Sequence, residues 1–220
     1  IPGVQSVGYI DNLLLNPLST QQVRLVIDGV EPPPGADYHS VDYGDIDDDF
    51  LDAAGIPLFA GRSFTTTDVA DGEPVAMVSE AFVSRFFPEG DALGRTIMFN
   101  GDATQVVGIT ADAKVRQIGE APRPFVYFSH RQSFSGYVTM LARADGDAGG
   151  VALQMMNIAR ALDPEIMIME STTMERHLAM QLVARELGAA VVTGFAVLAL
   201  ILASIGLYGV VSYAVAQRTR

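Results

Sequence analysis

The stretch from Leu187 to Gln217, "LGAAVVTGFAVLALILASIGLYGVVSYAVAQ", contains no charged residue, and no other feature limits the chain's fold as strongly. At about 1.5 Å of rise per residue, roughly 30 residues make a helix of roughly 45 Å, enough to cross a hydrocarbon core of about 30 Å. A globular core helix instead keeps a polar stripe and runs about 8 to 20 residues. The internal polar groups are Thr193, Ser204, Tyr208, Ser212 and Tyr213, whose hydroxyls can bond within a helix or sit at an interface. A transmembrane helix over 187–217 is expected. Arg218 and Arg220 follow directly, and basic residues beside a span favour the cytoplasmic side. Residues 218–220 are then a cytoplasmic flank, and the preceding domain lies outside.

Every acidic residue precedes that run. The chain has 26 acidic and 14 basic residues, a net charge of -12, so its outer domain should not bind nucleic acid or anionic lipid through bulk charge. Cysteine is absent, which excludes disulfides, thiolate metal ligands and thiol nucleophiles. The opening "IPGVQSVGYI" carries no initiator Met and no signal-peptide h-region. An exported domain needs an export signal, so a longer chain is expected.

Short strand-like and helix-like segments alternate before the run. "QQVRLVIDGVE" and "YHSVDYG" read as strands around the loop Pro32 to Gly35, and "DIDDDFLDAAG" as a short helix stopped by Gly55. "EPVAMVSEAFVSRFFPEG" reads as a strand into a helix ended at Pro88, with Ala81, Phe82, Arg85 and Phe86 at helical spacing. Asn100-Gly101 suits a type I′ turn and predicts a hairpin over Thr96 to Thr110. "RPFVYFSH" and "GYVTMLARA" add strands. "AGGVALQMMNIARALDP" predicts an amphipathic helix with Val151, Met155, Ile158 and Leu162 on one face, and "EIMIME" a returning strand. Thr172 and Glu175 fit a capping box, and no Pro follows, so a stalk helix over 172–186 should run on into the span. Gly55, Gly61, Gly90, Gly94 and Gly108 fall at expected turns.

Chemistry finds no foothold. Asp45, Asp47 and Asp49 open like an EF-hand loop, but Phe50 stands where Gly is needed and Ile56 where a bidentate Glu belongs. Solvated acids at a helix N-terminus are the expected reading. His39, His130 and His177 are far apart and expected to be exposed, and Ser63 and Ser135 have no base nearby in sequence. No nucleophile elbow or phosphate-binding loop is present. No catalytic, cofactor-binding or metal-binding residue is expected. Within the span, Ala199, Ala203, Gly206 and Gly209 form a small-residue stripe that would let another helix approach closely.

"FLDAAGIPLFAGRSFTTTDVADGEPVAMVSEAFVSRFFPEGDALGRTIMF", "QVVGITADAKVRQIGEAPRPFVYFSH" and "IGLYGVVSYAVAQRTR" resemble, in order, the MacB-like periplasmic core domain and the start of the FtsX-like permease module of ABC transporters. The resemblance implies a non-enzymatic permease subunit in a bacterial inner membrane, driven by a cytoplasmic ABC ATPase. A second permease copy, a periplasmic adaptor and the lipid bilayer are the implied partners. It also implies an α+β domain over 1–171 with two lobes, a β-α-β lobe and an inserted hairpin-rich lobe over roughly 61–133, followed by the stalk and transmembrane helix. Ser79 stands where many relatives have Asn and reads as surface variation. The chief alternative is a single-span receptor with an extracytoplasmic sensing domain, separable by whether further spans follow Arg220.

Overall fold

A computed structural model describes residues 1–16, 21–133, 135–179, 192–196, 198–200 and 202–203. The chain divides into two compact units, Ile1–Ser171 and Thr172–Arg220.

In the first unit, six strands close on themselves: β2 (Gln22–Ile27), β6 (Thr96–Phe99), β7 (Asp102–Thr110), β5 (Val75–Ser79), β8 (Phe125–Ser129) and β3 (His39–Ile46), which returns to β2. The short strand β4 (Leu58–Gly61) pairs with β7 where β6 has ended. Closure follows from the alternation of apolar residues, which gives every strand an apolar face turned to a common interior. Val23, Leu25, Ile27, Val41, Ala76, Val78, Ile97, Val106, Val126 and Phe128 form that interior cluster. The strands β5 and β8 are buried on both faces, because Val75, Met77, Phe125 and Tyr127 point the other way into a second cluster on the outer wall.

Helix α2 (Glu80–Phe86) starts directly from β5 and stoppers one end of the barrel with Phe82 and Phe86. Ser79 fixes that start. Its hydroxyl accepts from Phe82 N at 3.2 Å and from Phe125 N at 3.1 Å, and it is fully buried. The expectation of surface variation at Ser79 is therefore corrected; Asn would supply the same kind of acceptor at an N-cap. The β6–β7 hairpin turns at Asn100 and Gly101 with φ of 53° and 94°, the paired positive values of a type I′ turn.

Strand β1 (Val4–Ile10) lies beside β3 and pairs along most of its length with β9 (Thr139–Ala144), the last strand of the sheet. Helix α1 (Phe50–Ala54) covers this arm and sends Phe50 and Leu51 into the outer-wall cluster. Gly8 permits the contact, since a Cβ there would lie 2.4 Å from Phe50 Cα. Helix α3 (Ala148–Leu162) buries only Val151 among its residues.

Several expectations change. The segment 61–133 is not a lobe with its own sheet, because β2 and β3 from 22–46 pair with β6 and β8 from within it. Within the compact unit Ile1–Ser171 the six-stranded barrel is flanked by an arm of β1, β9, α1 and α3. "EIMIME" forms no strand and no described strand pairs with it. Gly108 lies inside β7 and not at a turn. The helical segment 174–179 is capped by Thr173, whose hydroxyl accepts from Arg176 N, and not by Thr172. The expected span falls largely outside the described residues, among which no helix is long and apolar enough to cross a membrane.

Candidate functional site

Every second side chain of β3 faces the barrel interior. His39 lies at the α2 end, Val41 and Tyr43 follow, and Asp45 reaches the opposite end. His39 is buried edge-on against Phe86 with ring centroids 4.9 Å apart, which corrects its expected exposure. One end of the barrel is thus aromatic and the other acidic.

At the acidic end the register Ile10↔Ile46 places Asp11 opposite Asp45 and Tyr9 opposite Asp47. Asp11 N donates to Asp45 O at 2.9 Å, and Asp47 N to Tyr9 O at 3.2 Å. The return bonds go to carboxylates: Asp45 N donates to Asp11 Oδ1 and Tyr9 N to Asp47 Oδ1, both at 2.9 Å. Asn12 N also donates to Asp11 Oδ1, at 2.7 Å. Asp45 is 6% exposed; burial, and then the neighbouring Asp11, push its carboxyl up to about 7, against the opposing pull of a bond from Ser133. Burial also raises Asp11 and Asp47. Asp45 and Asp47 are consequently not solvated acids at a helix N-terminus. Asp45 is still within β3, and only Asp49 occupies the N-cap of α1, without a side-chain capping bond. Among the described residues no three His, Asp or Glu are arranged to hold a metal ion.

A second polar cluster straps the loop 111–124 to the outer wall. Asp42 accepts from Arg116 Nη2 at 2.8 Å, Arg123 Nε at 3.0 Å and Gln22 Nε2 at 3.0 Å. Burial pushes this carboxyl up, but those three bonds outweigh it and hold Asp42 below the usual carboxylate range. Arg62 grips Asp68 through both terminal nitrogens, at 2.8 and 2.9 Å, and keeps it low as well. Asp112 Oδ1 accepts from Ala81 N at 2.8 Å, a further anchor for α2. These carboxylates are occupied in holding loops.

The remaining candidates stay dispersed. His130 stands edge-on to Tyr9, with centroids 5.0 Å apart, and both His130 and His177 are half-buried. Ser135 is engaged by the backbone of Tyr137. Asn12, Leu14, Gln21, Tyr43, Val115 and Phe125 border a hollow of about 10 Å³, about the room one water molecule needs and far below the roughly 300–1,000 Å³ of ordinary ligand pockets. Ala199 and Ala203 are exposed in helical turns, while Gly206 and Gly209 lie outside the described residues. Asp11 and Asp42 carry no local sequence signal of these roles, and Ser79, expected at the surface, is buried. For Asp45 a signal existed: the alternation His39, Val41, Tyr43 already put it on the inward face.

Comparisons with known proteins bear on the domain and not on a catalytic centre. The MacB-like periplasmic core domain model matches residues 9–165. The chain is 28% identical over 128 residues to "Uncharacterized ABC transporter permease YvrN" of Bacillus subtilis, an alignment taking in 52% of this chain and 31% of that protein. It is 28% identical over 101 residues to "Macrolide export ATP-binding/permease protein MacB" of Mannheimia succiniciproducens, with 46% and 14% of the respective chains aligned. The chain thus spans about a third or less of these relatives' own length. Among solved structures, the periplasmic region of MacB from Actinobacillus actinomycetemcomitans superposes with a TM-score of 0.51 at 18% identity, over 74% of this chain and 69% of that one. With the family model covering most of a mixed α/β domain, the chain belongs to the MacB-like periplasmic core domain family.

Proposed function

We propose that this chain is the extracytoplasmic domain, stalk and first following membrane helix of an ABC transporter permease, a non-catalytic part that transmits the work of a cytoplasmic ATPase. The observation that carries this reading is the family match over 9–165, followed by the uncharged run 187–217. Relatives named as ABC transporter permeases support it. In this reading 1–171 lies outside the inner membrane, 172–186 is the stalk, 187–217 the span and 218–220 the cytoplasmic flank. A second permease copy and a periplasmic adaptor are its partners outside the ATPase. The occupied carboxylates and small hollow favour a mechanical element over a catalytic one.

Topology is the direct test. The chain has no cysteine, so single cysteines at Gly101 and Arg218 in the full-length protein can be probed with an impermeant thiol reagent on cells with a permeabilised outer envelope. Labelling at Gly101 and protection at Arg218 are expected; the reverse pattern overturns the reading. The stripe Ala199, Ala203, Gly206 and Gly209 is assigned to close packing against another permease helix, because small side chains let backbones approach in lipid. Gly206→Leu should then lower transport-coupled ATPase activity at unchanged membrane abundance, while Leu202→Ile leaves it nearly intact. Full coupling in Gly206→Leu would show the stripe to be mere composition.

A further inference from the structure

Like charges directly opposite one another across a β ladder destabilise it, yet the seam joining the arm to the barrel places Asp11 opposite Asp45. This pairing comes at the last residue pairs where β1 touches β3, where Ile10↔Ile46 is the single registered pair. Asp11 is committed as an acceptor, since its Oδ1 already takes two backbone N–H groups. Among the described residues no backbone N–H is bonded to the Asp45 carboxyl, and Ser133 supplies its side-chain bond. An ionised Asp11 with a neutral Asp45 satisfies both environments, whereas two ionised carboxylates put repulsion into the seam.

We propose that the β1/β3 seam is a proton-operated latch, closed when the buried Asp45 carboxyl opposite Asp11 is neutral and loosened when both carboxylates are ionised. The surrounding groups fit this assignment. Asp45 faces Asp11 after β1, Tyr43 on its own strand and Ser133 in the turn after β8. His130, from that same turn, acts on Asp11 and stands against Tyr9. Asp47 is next along the ladder, bonded to Tyr9 N, and Arg131 is turned outward to Asp48. Because β1 carries β9 with it, loosening the seam frees the hydrogen-bonded edge of the arm while α1 still holds its apolar face.

The sign is fixed by linkage. Asp45 is raised from 3.8 to about 7 in the folded protein, so the folded state holds a proton that the unfolded state has lost, and the contribution falls as pH rises through that window. Hydrogen exchange on the 220-residue chain in detergent, corrected for intrinsic rates, reads the seam through the amides of Tyr9, Asp11, Asp45 and Asp47. Between about pH 5.5 and about pH 8, protection there should fall roughly tenfold or more relative to β5 and β8, as expected when a carboxyl held neutral by the closed seam is ionised. Asp45→Asn, neutral at every pH, should flatten the profile. An unchanged profile in Asp45→Asn, or parallel loss in seam and barrel, overturns the latch. Should Asp45→Asn fail to fold, Asp11→Asn decides: removing the opposing charge should shift the midpoint to lower pH, because that neighbouring charge is one of the two causes raising Asp45. An unmoved midpoint overturns the proposal.

Discussion

Barrel and arm use the same strand alternation to different ends. In the barrel all six strands have partners on both edges, and one face of each enters a shared interior in which Leu25, Ala76, Val78, Ile97, Val106 and Val126 are fully or almost fully buried. In the arm, β9 ends the sheet, and α3 leaves Leu153, Ile158 and Leu162 exposed, the last at 80%. The difference teaches that the domain's stability resides in the barrel, while the arm depends on α1 and a short seam for its place. A mechanical element needs such a division between a rigid body and a part whose attachment can change.

The comparison breaks most sharply at the stopper. Phe82→Ala removes a fully buried ring from the barrel interior and should cost about 3–5 kcal/mol, read as a lower urea midpoint for the Ile1–Ser171 unit within the chain. Leu162→Ala is the control, within about 0.5 kcal/mol of the parent. Equal losses would mean that the arm is as well packed as the barrel.

Gly8→Ala tests how α1 holds the arm. Its Cβ would meet backbone atoms of Asp49 and Phe50 at 2.4 to 2.8 Å, contacts that no side-chain rotation relieves, so a loss of about 1–3 kcal/mol is expected. Exchange should speed up first at β1 and β9. If β5 and β8 respond as strongly, arm and barrel are a single cooperative body.

The smallest effect is sought at Ser79, which serves both the α2 cap and the amide of Phe125. Ser79→Ala should cost about 1–2 kcal/mol, and Ser79→Asn less, since a short polar acceptor is restored. Equal destabilisation by Ala and Asn would show that fit, and not hydrogen bonding, governs the position.

Legibility in the sequence followed the range of the forces involved. The hairpin at Asn100-Gly101, the stop of α1 at Gly55 and the strand-to-helix step at Ser79 were readable because turn chemistry and apolar period act within a few residues. The failed strand at "EIMIME" shows the limit. Alternation supplies a strand's faces, but a strand also needs a partner edge, and no described strand pairs there. The opposite error hid β1, whose sequence "VQSVGYI" is weakly patterned and becomes a strand through pairing with β9, well over a hundred residues away.

By itself, the sequence determined the uncharged run, the acidic character of everything before it, the alternation of short elements and the absence of a catalytic motif. These depend on composition and on neighbours along the chain. Tertiary structure alone decided that β2 and β3 close a barrel with β5 to β8, that Ser79 is buried under α2, and that Asp11 meets Asp45 across the seam. The physical reason is that burial and charge act through space: a carboxylate's cost depends on which residues the fold brings opposite it, and 34 residues of chain separate Asp11 from Asp45.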